Sequence, residues 1–124
     1  MRITTEVFGI KSEDLDAVTE ELADALETEA NLRYGEAKGG DYSAFDPRTG
    51  GSLILQDNSN GIEQEWEQKK YKEFGLIILV QQSGSYFDYE PQLSRMKRFP
   101  VTLLHRRYYD SEAEKTDRLF ELKP

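Results

Sequence analysis

Apolar positions recur along this chain in two periods. Ile3, Thr5 and Val7 alternate between Ile3 and Gly9, with β-branched residues enriched, which predicts a first strand. Ser12 follows as a helix N-cap, with Glu13 and Asp14 in the first turn, where carboxylates suit the positive end of the helix dipole. Leu15, Val18, Leu22, Ala25 and Leu26 then recur at helical spacing, which predicts a helix from Glu13 to Ala30.

The middle of the chain reads as short strands broken by turns. Strands are predicted from Leu32 to Ala37, from Tyr42 to Phe45 and from Ser52 to Asp57. Lys38-Gly39-Gly40-Asp41, Asp46 to Gly51 and Asn58-Ser59-Asn60-Gly61 supply the turn residues between and after them. Ile62 to Phe74 has no clean apolar stripe, since Ile62, Trp66 and Tyr71 share no face, and it reads as a long loop or an edge segment. Gly75 to Gln82 is a central strand, apolar on both faces. A second helix starts near Asp88, because Pro91 is tolerated only in a first turn, and Tyr89, Leu93 and Met96 give it a buried side. Pro100 stops it, and a last strand runs from Val101 to Tyr109. Residues 110–124 read as a charged tail or a short helix through Leu119, Phe120 and Leu122.

The order β-α-β-β-β-β-α-β predicts an α+β fold. Its sheet is mostly antiparallel, with five to six strands and two helices packed on one face. At 124 residues, with no repeat and no linker, the chain is read as a single domain over 1–124.

Composition narrows the chemistry. There is no cysteine, which excludes disulfides, iron–sulfur clusters, thiolate zinc sites and thiol nucleophiles, and fits a reducing cytoplasm. The longest apolar run, Leu76 to Val80, suits a buried strand and is far short of a membrane span. The first residues lack the long apolar stretch of a secretory signal. Mean hydropathy is −0.73, yet six Phe, seven Tyr and one Trp remain, more aromatics than a disordered chain of this polarity carries.

Net charge is −8 and unevenly spread. Residues 1–30 carry −7, residues 31–68 carry −4, residues 69–109 carry +5 and residues 110–124 carry −2. No Lys or Arg lies between Lys11 and Arg33. Within that interval Asp16, Glu20 and Asp24 are spaced i, i+4, i+8, with Glu27 three further on, so four like charges share one helix face and repel. Glu27 and Glu29 also sit where the helix dipole disfavours acids. Such a face is either a solvated surface or one kept acidic for a basic partner. Glu63, Glu65 and Glu67 alternate around Trp66, a pattern that fits an interface anchor as well as an edge cover. The basic residues Arg95, Lys97, Arg98, Arg106 and Arg107 gather near the second helix and the last strand, where they can pair with the acidic helix. Nucleic acid is not the expected partner at pI 4.7.

No catalytic residue is assigned. His105 is the only histidine, and the last strand places it on the face of Val101 and Leu103 without a local nucleophile and carboxylate to complete a relay. Gly39-Gly40 and Gly50-Gly51 lack the context of a phosphate loop. No cofactor or metal is called for. Two other readings remain open: a regulatory module binding a small molecule at Tyr34, Tyr42 and Phe45, and a metal-dependent hydrolase drawing on acids such as Asp57 and Glu65.

Size, acidity, absence of cysteine and element order resemble those of small bacterial immunity proteins of contact-dependent and polymorphic toxin systems. Gly39-Gly40-Asp41-Tyr42 and Leu53-Ile54-Leu55-Gln56-Asp57-Asn58 carry the likeness at residue level. The resemblance implies a cytoplasmic, non-enzymatic inhibitor of a toxin domain, with a nuclease as its partner. The residues expected to meet that partner are Asp16, Glu20, Asp24 and Glu27 on the first helix and Glu63, Glu65, Trp66 and Glu67.

Overall fold

The computed structural model describes residues 2–35, 40–58 and 71–123. Among these described residues seven strands and two helices follow one another: β1 (Arg2–Ile10), α1 (Leu15–Leu26), β2 (Ala30–Gly35), β3 (Gly40–Phe45), β4 (Gly50–Asp57), β5 (Leu76–Ser83), α2 (Glu90–Leu93), β6 (Val101–Asp110) and β7 (Lys115–Glu121). The strands form one antiparallel sheet in the order β2-β3-β4-β5-β1-β6-β7. The α+β class and both helices are as the sequence predicts, but the sheet has seven strands rather than five to six.

The additional strand is β7, which replaces the expected tail or helix over 110–124. Leu119, Phe120 and Leu122 fit helical spacing, but a hairpin wins. Asp110 Oδ1 accepts from the Glu112 backbone N–H at 3.0 Å, and Glu114 takes a left-handed φ of 49° to close the turn. Lys115 to Glu121 then pairs with His105 to Asp110 of β6.

β5 shows how the core is built. Leu76, Ile78 and Val80 point to one face, packing beneath Val18, Leu22 and Leu26 of α1 and Leu93 of α2. Ile77 points to the other face, with Val7, Leu104, Tyr71 and Phe74. The sheet is thus apolar on both sides, which is why β5 alternates so little in polarity. The ring of Phe74 lies against Gly9, where any side chain would place its Cβ 2.6 Å from that ring. Asn58 fixes the approach to this second cluster, its Nδ2 donating to the carbonyls of Tyr71 (3.1 Å) and Phe74 (2.9 Å).

α1 is shorter than its hydrophobic period suggests. Asp14, not Ser12, is the N-cap: its Oδ1 accepts from the Ala17 N–H at 3.1 Å, while Ser12 Oγ supports the Asp14 N–H. The helix ends in a Schellman pattern, Thr28 N–H to the Ala23 carbonyl (3.1 Å) and Glu27 N–H to that of Asp24 (3.2 Å), with Glu27 left-handed at φ 56°. α2 is a single turn with Pro91 at its start, and Tyr89, Leu93 and Met96 are all buried.

One irregularity changes which residues face where. β1 and β6 slip register between Val7 and Phe8, so Val7 faces His105, Phe8 faces Leu103, and Leu104 is the extra residue of a bulge. Past the bulge, alternation inverts. His105 therefore shares the face of Val7, not that of Val101 and Leu103 as strict alternation predicts. Arg106 comes onto the helix-covered face opposite Glu6.

Candidate functional site

α1 lies across β3, β4 and α2 with Val18, Leu22, Ala25 and Leu26 buried. Its opposite side is the acidic row. Asp16, Glu20, Asp24 and Glu27 are all exposed, as the spacing predicts. With a rise of about 1.5 Å per residue the row runs about 16 Å along the surface. The ion pairs formed among the described residues include Lys11–Glu73, Arg106–Glu6, Arg106–Glu90, Lys115–Asp117 and Arg118–Glu121, and none involves the row.

The basic residues of the second half do come near it. Arg95, Lys97 and Arg98 face Glu21 and Asp24 across a cleft of about 330 Å³. Contact is made by Glu21, whose Oε1 accepts from the backbone N–H of Arg98 (3.2 Å) and Phe99 (3.4 Å). Arg98 rests its guanidinium over the ring of Phe99 at 4.9 Å. The acidic row is bordered by cations at its C-terminal end, not neutralised by them.

The expected basic cluster does not form one patch. Arg106 turns inward and Arg107, its neighbour in a strand, turns to the other face. Arg106 donates from Nε (2.8 Å) and Nη2 (2.7 Å) to Oε2 of Glu6, which is fully buried, and from Nη2 to Glu90 at 3.3 Å. The Tyr86 hydroxyl donates to the same Oε2 at 3.2 Å. Burial pushes the Glu6 carboxyl above its ordinary value, against the hydrogen bonds and charge of Arg106, which pull it down. Burial, and then the Glu6 carboxylate, push the Tyr86 hydroxyl up to about 12. Glu6 is not singled out by the sequence, where the alternation runs through Ile3, Thr5 and Val7; it shares instead the helix-covered face of Phe8 and Ile10, and those two residues are the signal for it.

The other sequence-level candidates fare differently. Glu63, Glu65, Trp66 and Glu67 lie outside the described residues. Tyr34, Tyr42 and Phe45 are not brought together: Phe45 is buried beneath α1, Tyr34 stands exposed on β2, and the register turns Tyr42 to the opposite face from Phe45. Among the described residues no three His, Asp or Glu side chains gather to hold a metal ion. No helix among them is long and apolar enough to cross a membrane. Set against protein-family models, curated proteins and solved structures, the chain matches none of them.

Proposed function

We propose that this is a non-enzymatic immunity protein of the cytoplasm, which binds and neutralises a basic bacterial toxin domain, a nuclease, through the outer face of α1. One observation carries the reading: Asp16, Glu20, Asp24 and Glu27 are exposed together and meet no cation in an ion pair among the described residues. A nuclease must hold phosphates, so its cleft is cationic. A rigid row of carboxylates substitutes for those phosphates as a charge-assisted acceptor and excludes the substrate. The field of the row also speeds encounter, in a way that salt weakens.

The reading expects a basic toxin domain to be encoded beside this protein's gene, and the test uses that domain; a neighbouring gene without one contradicts the reading. One equivalent of protein abolishes nucleic-acid cleavage, and the association rate falls about tenfold between ~50 and ~500 mM NaCl. The triple substitution Asp16→Asn, Glu20→Gln, Asp24→Asn slows association about tenfold and changes dissociation less. An association rate indifferent to both salt and the triple substitution would sink the reading.

A further inference from the structure

Among the described residues, the sheet edge beside the acidic helix carries no further strand. β2 bonds to β3 and to no other strand among the described residues. Leu32 and Tyr34 project from it and are 66% and 71% exposed. Their side is that of α1, because Leu32 pairs with Ser43, whose hydroxyl bonds to Thr19 of the helix at 2.7 Å. Natural edges are commonly guarded by lysine, proline or a bulge. β7, at the far edge, carries Lys115, Asp117 and Arg118 and a register shift. β2 has six residues in unbroken register, no proline and no lysine, and its single charge, Arg33, pairs with Tyr42 on the opposite side from Leu32.

Next to this edge lies a cleft of about 320 Å³, lined by Leu15, Asp16, Leu32, Arg33, Tyr34 and Asp41. Its chemistry is an apolar, partly aromatic wall with two carboxylates, Asp16 and Asp41, against one cation, Arg33. We propose that β2 and this cleft receive an extended, lysine- or arginine-bearing segment of the basic partner as an added strand. One long cationic side chain of that segment lies along Leu32 and Tyr34 and reaches Asp16 and Asp41. The methylene stem of such a side chain covers apolar surface while its charged end meets carboxylates, and the Tyr34 ring favours a cation over its face. Main-chain pairing supplies affinity and the cleft supplies selection. A second copy of this chain fits less well, since it would bring another Asp16, another Asp41 and a further −8 of charge to the same seam. The inference rests on the proposed function and adds the mode of docking to it.

The probe is an acetylated and amidated heptapeptide of alternating lysine and valine, added to the full chain. Amide exchange read by NMR shows β2 amides protected at least tenfold on binding. Leu32→Ser with Tyr34→Ser weakens the peptide about tenfold at an unchanged melting temperature, both side chains being exposed. Methylating the peptide's alternate backbone amides along its pairing edge removes binding. Equal affinity for the double variant, equal affinity for the methylated peptide, or sedimentation showing β2 already covered by a second copy overturns the inference. The toxin domain separates this from the parent reading. If Glu20→Gln with Asp24→Asn slows toxin association while Leu32→Ser with Tyr34→Ser leaves it untouched, strand addition falls and the acidic-row reading stands. If neither pair alters toxin association, both fall.

Discussion

Glu6 is a carboxylate set in a row with Phe8 and Ile10, and the fold keeps it there by giving it Arg106 and Tyr86. Both Arg106 contacts and the Tyr86 hydroxyl fall on Oε2, while Oε1 is buried and receives no donor among the described residues. Ionised Glu6 is therefore incompletely compensated, and burial outweighs Arg106 in setting its pKa above the ordinary 4.5. A carboxyl whose folded pKa is raised contributes stability that is complete below pH 4.5 and is lost as pH climbs through the folded value. The expected outcome is that the unfolding free energy of the wild type, relative to Glu6→Gln, declines from about pH 4 towards pH 7. Urea titrations across that range check it, and a flat difference contradicts it. The inward position of Glu6 was only half legible, since alternation picks out Ile3, Thr5 and Val7 while Phe8 and Ile10 point to the other face. Its partner was not legible, because Arg106 reaches that face only through the register slip at Leu104, which no local pattern announces.

Among the elements, α1 bears the clearest conflict between stability and surface. Its Schellman end wants glycine in the left-handed position, and the chain has Glu27 there. The same residue places a carboxylate at the negative end of the helix dipole. Glu27→Gly is expected to raise the unfolding free energy by about 1 kcal/mol, read from the urea midpoint, because glycine takes a left-handed φ without the steric cost of a side chain. In the same variant, the proposed association with a toxin domain is expected to slow. A glutamate kept where it costs stability is what a binding surface tolerates and an inert surface does not need. Most elements were readable in the sequence because their periods are strong: β5 through its double-sided apolar run, α1 through its stripe. The ends were not. Asp14 displaced Ser12 as cap, and β7 displaced the expected tail because strand pairing with β6 is a tertiary opportunity invisible to local spacing.

For the molecule as a whole, charge is the dominant long-range term. The exposed row on α1 carries no cation in an ion pair among the described residues, and the net charge is −8, so the compact state repels itself. Raising NaCl from ~50 to ~500 mM is expected to increase the melting temperature by about 3 °C, measured by circular dichroism, even as it weakens the proposed binding to a basic partner. The row itself was legible residue by residue from i, i+4 spacing. The way Arg95, Lys97 and Arg98 approach its far end was not, since that depends on how the chain after α2 lies against α1. The open flank at Leu32 and Tyr34 was equally hidden, because only the strand order shows β2 to be an edge.

That same strand order has a consequence for synthesis. β1 leaves the ribosome before the other strands described, yet its neighbours in the sheet are β5 and β6, which begin at Leu76 and Val101. Closing such distant pairs is slow, and the first of them, β1 with β5, cannot form until Leu76 to Ser83 has emerged. Through that interval Phe8 and Ile10 have no partner strand on either flank, and a nascent chain in this state is a natural client for a chaperone.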